Sequence, residues 1–211
     1  MTEVVLATSE EAEARIVRFA DRAIDFETFL DLNENNDMEL LNGVMVKKMA
    51  AQLEHEKLLA WLHTLLYLFV KQKSLGIVLG SRTSVEINTY RGRMPDLLFV
   101  RQDNMTIVQQ RAIYGAPDMV LELVSPNDRP IGLLEVETDY RTIGVPEIVF
   151  IDQQKRRVRF FRRRGSDYHE TILLEGTLTF ETVPGFELQV QWLFADPRPD
   201  ELALLNALLQ N

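Results

Sequence analysis

The sequence predicts an α/β chain, more strictly α+β: a mixed central sheet flanked by helices, with a C-terminal β-hairpin extension. Three observations predict it. Leu58, Leu59, Leu62, Leu65, Leu66 and Phe69 recur at the helical period inside Gln52–Lys73. Strand-length apolar runs stand at residues 95–100, 119–124 and 147–152, bounded by proline, glycine or polar loops. A helix-like stretch, residues 131–143, separates the last two and ends at Gly144.

The elements follow in order. Ser9 to Ala23 contains helix formers with apolar residues at Ala12, Ile16, Phe19, Ala20 and Ala23, roughly one helical face. Asp25 is placed to cap a short helix carrying Phe26, Phe29 and Leu30. Residues 38–49 read as two strand pieces around Asn42-Gly43, a hairpin signal. The long helix at 52–73 stops before Gly76, and strands follow at 77–79, 84–88, 95–100 and 119–124. Residues 102–114 form a partly helical connector. After the 131–143 helix come a strand at 147–152, hairpin strands at 157–163 and 168–174, a short strand at 178–181 and a C-terminal helix at 199–210. The chain divides into a helical extension (1–24), a main domain (25–195) and the terminal helix (196–211).

Composition narrows the function. The chain has 211 residues, no cysteine and a net charge of −9. Absence of cysteine excludes a disulfide scaffold and a thiolate zinc site. No apolar run reaches membrane-spanning length, and the start lacks a signal-like basic and apolar segment, so a cytoplasmic protein with no membrane contact is expected. An acidic chain does not coat nucleic acid through its bulk charge. One stretch runs the other way: "KRRVRFFRRR", residues 155–164, holds seven basic residues in ten. It reads either as a solvated edge hairpin or as a phosphate-binding patch, with Arg156, Arg157 and Arg159 as the nucleic-acid contacts.

Two acids occupy positions that ought to be dry. Asp96 follows Pro95 and opens "LLFV"; Glu122 falls inside "MVLELV". A buried carboxylate is costly unless it is paired or holds a metal. On neighbouring strands the two would make a site for a hard divalent ion, Mg²⁺ or Mn²⁺, which takes one or two carboxylates plus water and phosphate oxygens. Glu39, at the first hairpin, is a third candidate. The competing readings are a turn aspartate after proline and a glutamate facing outward from a one-sided sheet. Zinc-binding histidines have no HExxH motif to stand on, and no GxSxG elbow, Walker A loop or GxGxxG loop is present.

"MELLNGVMV", "EHEKLLAWLHTLL", "PDLLFV", "GAPDMVLELVSP" and "YRTIGVPEIVFID" occur in that order. Together they resemble the Uma-two family of putative restriction endonucleases, over about residues 25–190. The resemblance implies the PD-(D/E)XK nuclease fold, a restriction-endonuclease-like mixed sheet whose strand pair delivers two acids to Mg²⁺. It casts Asp96 as the PD aspartate and Glu122 as the second acid. Leu123 would offer its backbone carbonyl to the metal. Glu39 matches the acid of the opening motif, and His55 a histidine near the start of the long helix. DNA is the implied partner, and a homodimer is the analogous assembly for a two-stranded substrate.

The sequence departs from that pattern at the lysine. Two residues beyond the second acid stands Val124. Four before Tyr140, where the family usually moves the lysine, stands Val136. No lysine lies between Lys73 and Lys155. Either another cation, from among Arg129, Arg141, Lys47 and Lys48, reaches the acids, or the chain is a catalytically degenerate nuclease fold that binds nucleic acid or protein. A structural dimerisation module is the remaining alternative.

Overall fold

A computed structural model of the protein describes residues 16–17, 22–48, 52–126 and 128–210. In chain order the elements are β1 (Ile16–Val17), α1 (Phe26–Leu32), β2 (Met38–Leu41), β3 (Val44–Lys47), α2 (Leu53–Lys73), β4 (Gly76–Gly80), β5 (Val85–Asn88), β6 (Arg91–Arg93) and β7 (Leu97–Arg101). A 3₁₀ turn over Gln102–Ile107 leads on to β8 (Met119–Val124), α3 (Pro130–Ile143), β9 (Glu147–Asp152), β10 (Arg157–Arg164) and β11 (Asp167–Leu173). The chain finishes with β12 (Thr177–Thr179), β13 (Glu187–Gln189), α4 (Val190–Leu193) and α5 (Glu201–Gln210).

Six strands form the main sheet in the order β11-β10-β9-β8-β7-β4. Every pair is antiparallel except β8 and β9, which run parallel because α3 crosses over between them. The centre is covered on both faces, which is why β7, β8 and β9 read as nearly continuous apolar runs. Alternate residues serve opposite cores. Leu97, Phe99, Leu121 and Leu123 pack with α2 and α5, whereas Leu98, Val100 and Val120 pack on the side of Tyr140 from α3. Glu122 shares the pleat parity of Val120 and so faces α3. The predicted hairpin extends this sheet directly, β10 pairing along the whole of β9.

A second sheet, β1-β3-β2-β6-β5, sits beside the first, with α1 closing a small core of Phe26, Phe29, Leu40 and Met45. Asn42 and Gly43 both take positive φ, 53° and 76°, in the β2–β3 turn that their sequence signals. Asp25 caps α1 by accepting from the Thr28 amide at 2.8 Å. Gly144 ends α3 at φ 84°, and a side chain there would meet Arg163 Nη1 at 2.5 Å. The terminal helix belongs to the main core, burying Leu204, Leu205 and Leu208 beside α2.

The N-terminal expectation differs from the structure. Residues 16 and 17, in the middle of the predicted helix, form a strand paired with Val46 and Met45 of β3. The outer edge of β3 offers unpaired backbone groups, and β-branched Ile16 and Val17 suit a strand better than a helix. Residues 9–15 and 18–21 lie outside the described residues. No helix among the described residues is long and apolar enough to cross a membrane.

Candidate active site

The two sheets leave a cleft of about 580 Å³ between them, and its wall includes Glu39, Lys48, His55, Asp96 and Glu122. Antiparallel pairing of Leu97 with Leu121 brings Asp96, just before β7, alongside Glu122 of β8. The Asp96 amide donates to Glu122 Oε2 at 3.3 Å. Asp96 is itself well held: the Leu123 amide donates to its Oδ2 at 2.8 Å, and His55 Nε2 lies 3.2 Å from the same oxygen. Burial alone would raise its pKa, but the His55 bond and the Lys48 charge hold it below the ordinary aspartate value.

Lys48 is the cation that reaches the acids. Its Nζ donates to the Met94 carbonyl at 2.7 Å and lies 3.5 Å from Asp96 Oδ1. Burial opposes its charge, but Asp96, Glu122 and Glu39 outweigh that and hold the ammonium well above the ordinary lysine value. Of the other three candidates, Lys47 pairs with Asp37 at 3.1 Å and Arg141 with Glu137 at 2.9 Å. Arg129 lines the cleft without an ion pair among the described residues.

Glu122 is held far from the ordinary glutamate value. Burial, followed by the neighbouring Asp96 charge, pushes its carboxyl up to about 8. Tyr140 meets it from α3, the hydroxyl lying 2.5 Å from Oε1. Val136, one turn earlier, lines the same cleft. Glu39 takes a bracing position. It accepts from the Met94 amide at 3.0 Å and from Arg93 Nη1 at 2.9 Å, fixing the segment that leads into Asp96.

These carboxyls fit a hard divalent ion. Among the described residues no group of three or more histidine, aspartate or glutamate side chains is arranged to cage a metal. Mg²⁺ does not need one, since it commonly keeps several waters and uses one or two carboxylates. A proton on Glu122 relieves the repulsion from Asp96, and a divalent cation would do the same more strongly. A pH dependence follows. Glu122 and His55 both have raised pKa values. Their stabilisation is therefore complete below the unfolded values and fades as pH rises through the folded ones. With EDTA present, the melting temperature should fall from about pH 5 to pH 8, and Mg²⁺ should recover most of the loss at the upper end. A flat profile, or equal profiles with and without Mg²⁺, would contradict this.

The basic hairpin is largely answered by acids. Arg159 pairs with Glu137 at 3.0 Å and Glu170 at 2.7 Å. Arg157 lies 3.6 Å from Asp152, and Arg162 pairs with Glu147 at 3.0 Å. Arg156 stands apart: it donates to the Phe194 carbonyl at 3.2 Å and lines a groove of about 290 Å³. That groove shares His55, Val124 and Ser125 with the main cleft. The structure thus brings Asp96, Glu122, Leu123 and Glu39 together, sets Arg156 next door, and leaves Arg157 and Arg159 elsewhere on the sheet. Sequence reasoning missed Arg93, which is 4% exposed, and Asp139, whose Oδ2 lies 2.6 Å from Arg93 Nε.

Residues 25–192 match the family model named Uma2, described as "Putative restriction endonuclease". The chain belongs to the Uma2 family. Among solved structures, this Uma2 chain is similar to a protein from Anabaena variabilis ATCC 29413, called a putative nuclease belonging to DUF820. The match has a TM-score of 0.68 at 16% identity and covers 81% of this chain and 97% of the other. The likeness shows a shared fold, a mixed sheet flanked by helices. No curated protein matches the chain.

Proposed function

We propose that this Uma2 protein is an endodeoxyribonuclease that hydrolyses DNA phosphodiester bonds with Mg²⁺ or Mn²⁺. The observation that carries the proposal is the convergence of Asp96, Glu122 and Lys48 in one cleft. When bound, the ion supplies positive charge at a phosphoryl oxygen and a more acidic water.

Asp96 and Glu122 would hold it, with the Leu123 carbonyl as a further oxygen from β8. The Leu123 amide and His55 keep Asp96 oriented; the Tyr140 hydroxyl does so for Glu122. Lys48 stays protonated because its pKa is raised, so it does not act as a base. Its ammonium instead stabilises negative charge developing on the phosphoryl group, the task left open by Val124 and Val136. Glu39 contributes by bracing Met94 and Arg93, and Arg156 would meet a flanking phosphate in the adjoining groove.

The rival reading, a binding module without catalysis, draws on those two valines and on the acidic net charge. Lys48 beside Asp96 answers the first of these. The test is supercoiled plasmid incubated with the protein and Mg²⁺ or Mn²⁺. Nicking that EDTA stops is expected; binding without nicking under either metal would favour the rival.

A further inference from the structure

Arg91 and Arg93 project from β6 on the same side of the strand, two residues apart. Asp139 pairs with both: Oδ2 accepts from Arg93 Nε at 2.6 Å, and Oδ1 lies 2.6 Å from Arg91 Nε as an ion pair without hydrogen-bond alignment. Glu39 fixes Arg93 Nη1 at 2.9 Å. The last nitrogen of Arg93, Nη2, is buried and has no hydrogen-bond partner.

That Nη2 and the Nη2 of Arg91 converge on a single atom. Glu135 Oε2 lies 4.0 Å from the first and 3.6 Å from the second. Both separations are too long for a hydrogen bond. The Glu135 side chain is 54% exposed and forms part of the cleft wall with Asp96 and Glu122. An exposed carboxylate at such distances is weakly held. Asp139 and Glu39 already balance the two guanidinium charges, so Glu135 is the surplus anion. Two locked guanidiniums facing one loosely placed oxygen match the geometry with which arginine takes a phosphate.

We propose that Arg91 and Arg93 form a clamp for a DNA backbone phosphate, and that Glu135 covers this clamp until the phosphate displaces it. The inference rests on the nuclease reading and adds a phosphate contact separate from the two acids. A charge-neutral exchange follows: one anion leaves the guanidinium pair as another arrives. Glu135 therefore acts as a brake on binding.

The test is a double-mutant cycle on binding of a short DNA duplex, with Ca²⁺ replacing Mg²⁺ to suppress cutting. Glu135→Gln should tighten binding about five-fold in the otherwise unchanged protein. In an Arg91→Gln background the gain should fall below about two-fold. Glu56→Gln, removing another exposed acid of the cleft rim, should give less than about two-fold. Equal gains in both backgrounds would reduce the effect to net charge and overturn the clamp. Should Arg91→Gln not fold, Arg91→Lys serves as the second background. Inorganic phosphate added alone gives a further arm. Coupling between Glu135 and Arg91 seen toward free phosphate but not toward the duplex would overturn the DNA assignment. A duplex neither bound nor cut by the wild type would bring down the nuclease reading and the clamp together. Normal cutting in Mg²⁺ with no coupling would bring down the clamp alone.

Discussion

Lys48→Met should lower metal-dependent plasmid cleavage by about 10²–10³-fold, the usual cost of removing one charge-stabilising donor from a phosphoryl- or acyl-transfer site. The reason lies in what is missing elsewhere. Neither Val124 nor Val136 can place a positive charge at the acids, and the structure brings the Lys48 ammonium to within 3.5 Å of Asp96. Its other bond, 2.7 Å to the Met94 carbonyl, fixes it relative to the chain entering β7. Without Mg²⁺ the variant should be less stable than the wild type, because buried Asp96 loses a counter-charge. Lys48 is the main counter-charge to Asp96 besides His55, so Mg²⁺ should stabilise the variant more than the wild type. Plasmid assays and melting curves with and without Mg²⁺ check both parts. An unchanged rate would show that Lys48 only neutralises Asp96.

Glu147→Ala should destabilise the fold by about 3–5 kcal/mol, because it strips the partner from a buried network. Glu147 opens β9 and is 1% exposed. Its Oε1 accepts from Arg162 Nε at 3.0 Å and from the Glu181 amide at 3.0 Å. Its Oε2 accepts from the Thr182 amide at 2.9 Å and the Thr182 hydroxyl at 2.5 Å. One side chain therefore ties the main sheet to the segment after β12. Its removal leaves a buried amide at Thr182, a part-buried amide at Glu181 and the Arg162 guanidinium to find water or go unsatisfied. Urea unfolding measures the loss, and Glu147→Gln, which keeps the acceptor at Oε1, should lose less. A change below about 1 kcal/mol for the alanine variant would show that water replaces the carboxylate freely.

Much of the fold was legible because its signals are local. Leu58 to Phe69 kept the helical period, Asn42-Gly43 specified its own turn, and strand β9 began and ended where the apolar run did. The acids were legible for a related reason: a carboxylate next to or inside an apolar strand carries a cost that needs an explanation. Arg93 and Asp139 were not legible. Their contact joins residues 46 apart through the docking of β6 on α3, and neither residue looks unusual in its own segment. The basic run left two readings open that only the fold could weigh. Arg159, Arg162 and Arg164 look unpaired along the chain, but Glu137, Glu147, Glu170 and Glu181 meet them once the sheet forms. Lys48 stood among four candidate cations, and only the packing of the small sheet against the large one selects it. Ile16 read as part of a helical face, but its pairing, with that of Val17, depends on the open edge of β3.

The most direct test of the proposed site keeps its shape and changes only its charge. Asp96→Asn and Glu122→Gln should both fold, since each retains hydrogen-bonding capacity toward its neighbours, and both should lose plasmid cleavage in Mg²⁺ and in Mn²⁺. Cleavage by the wild type together with its loss in both variants is the expected result. Cleavage that survives in either folded variant would contradict a divalent-ion site built on these two acids.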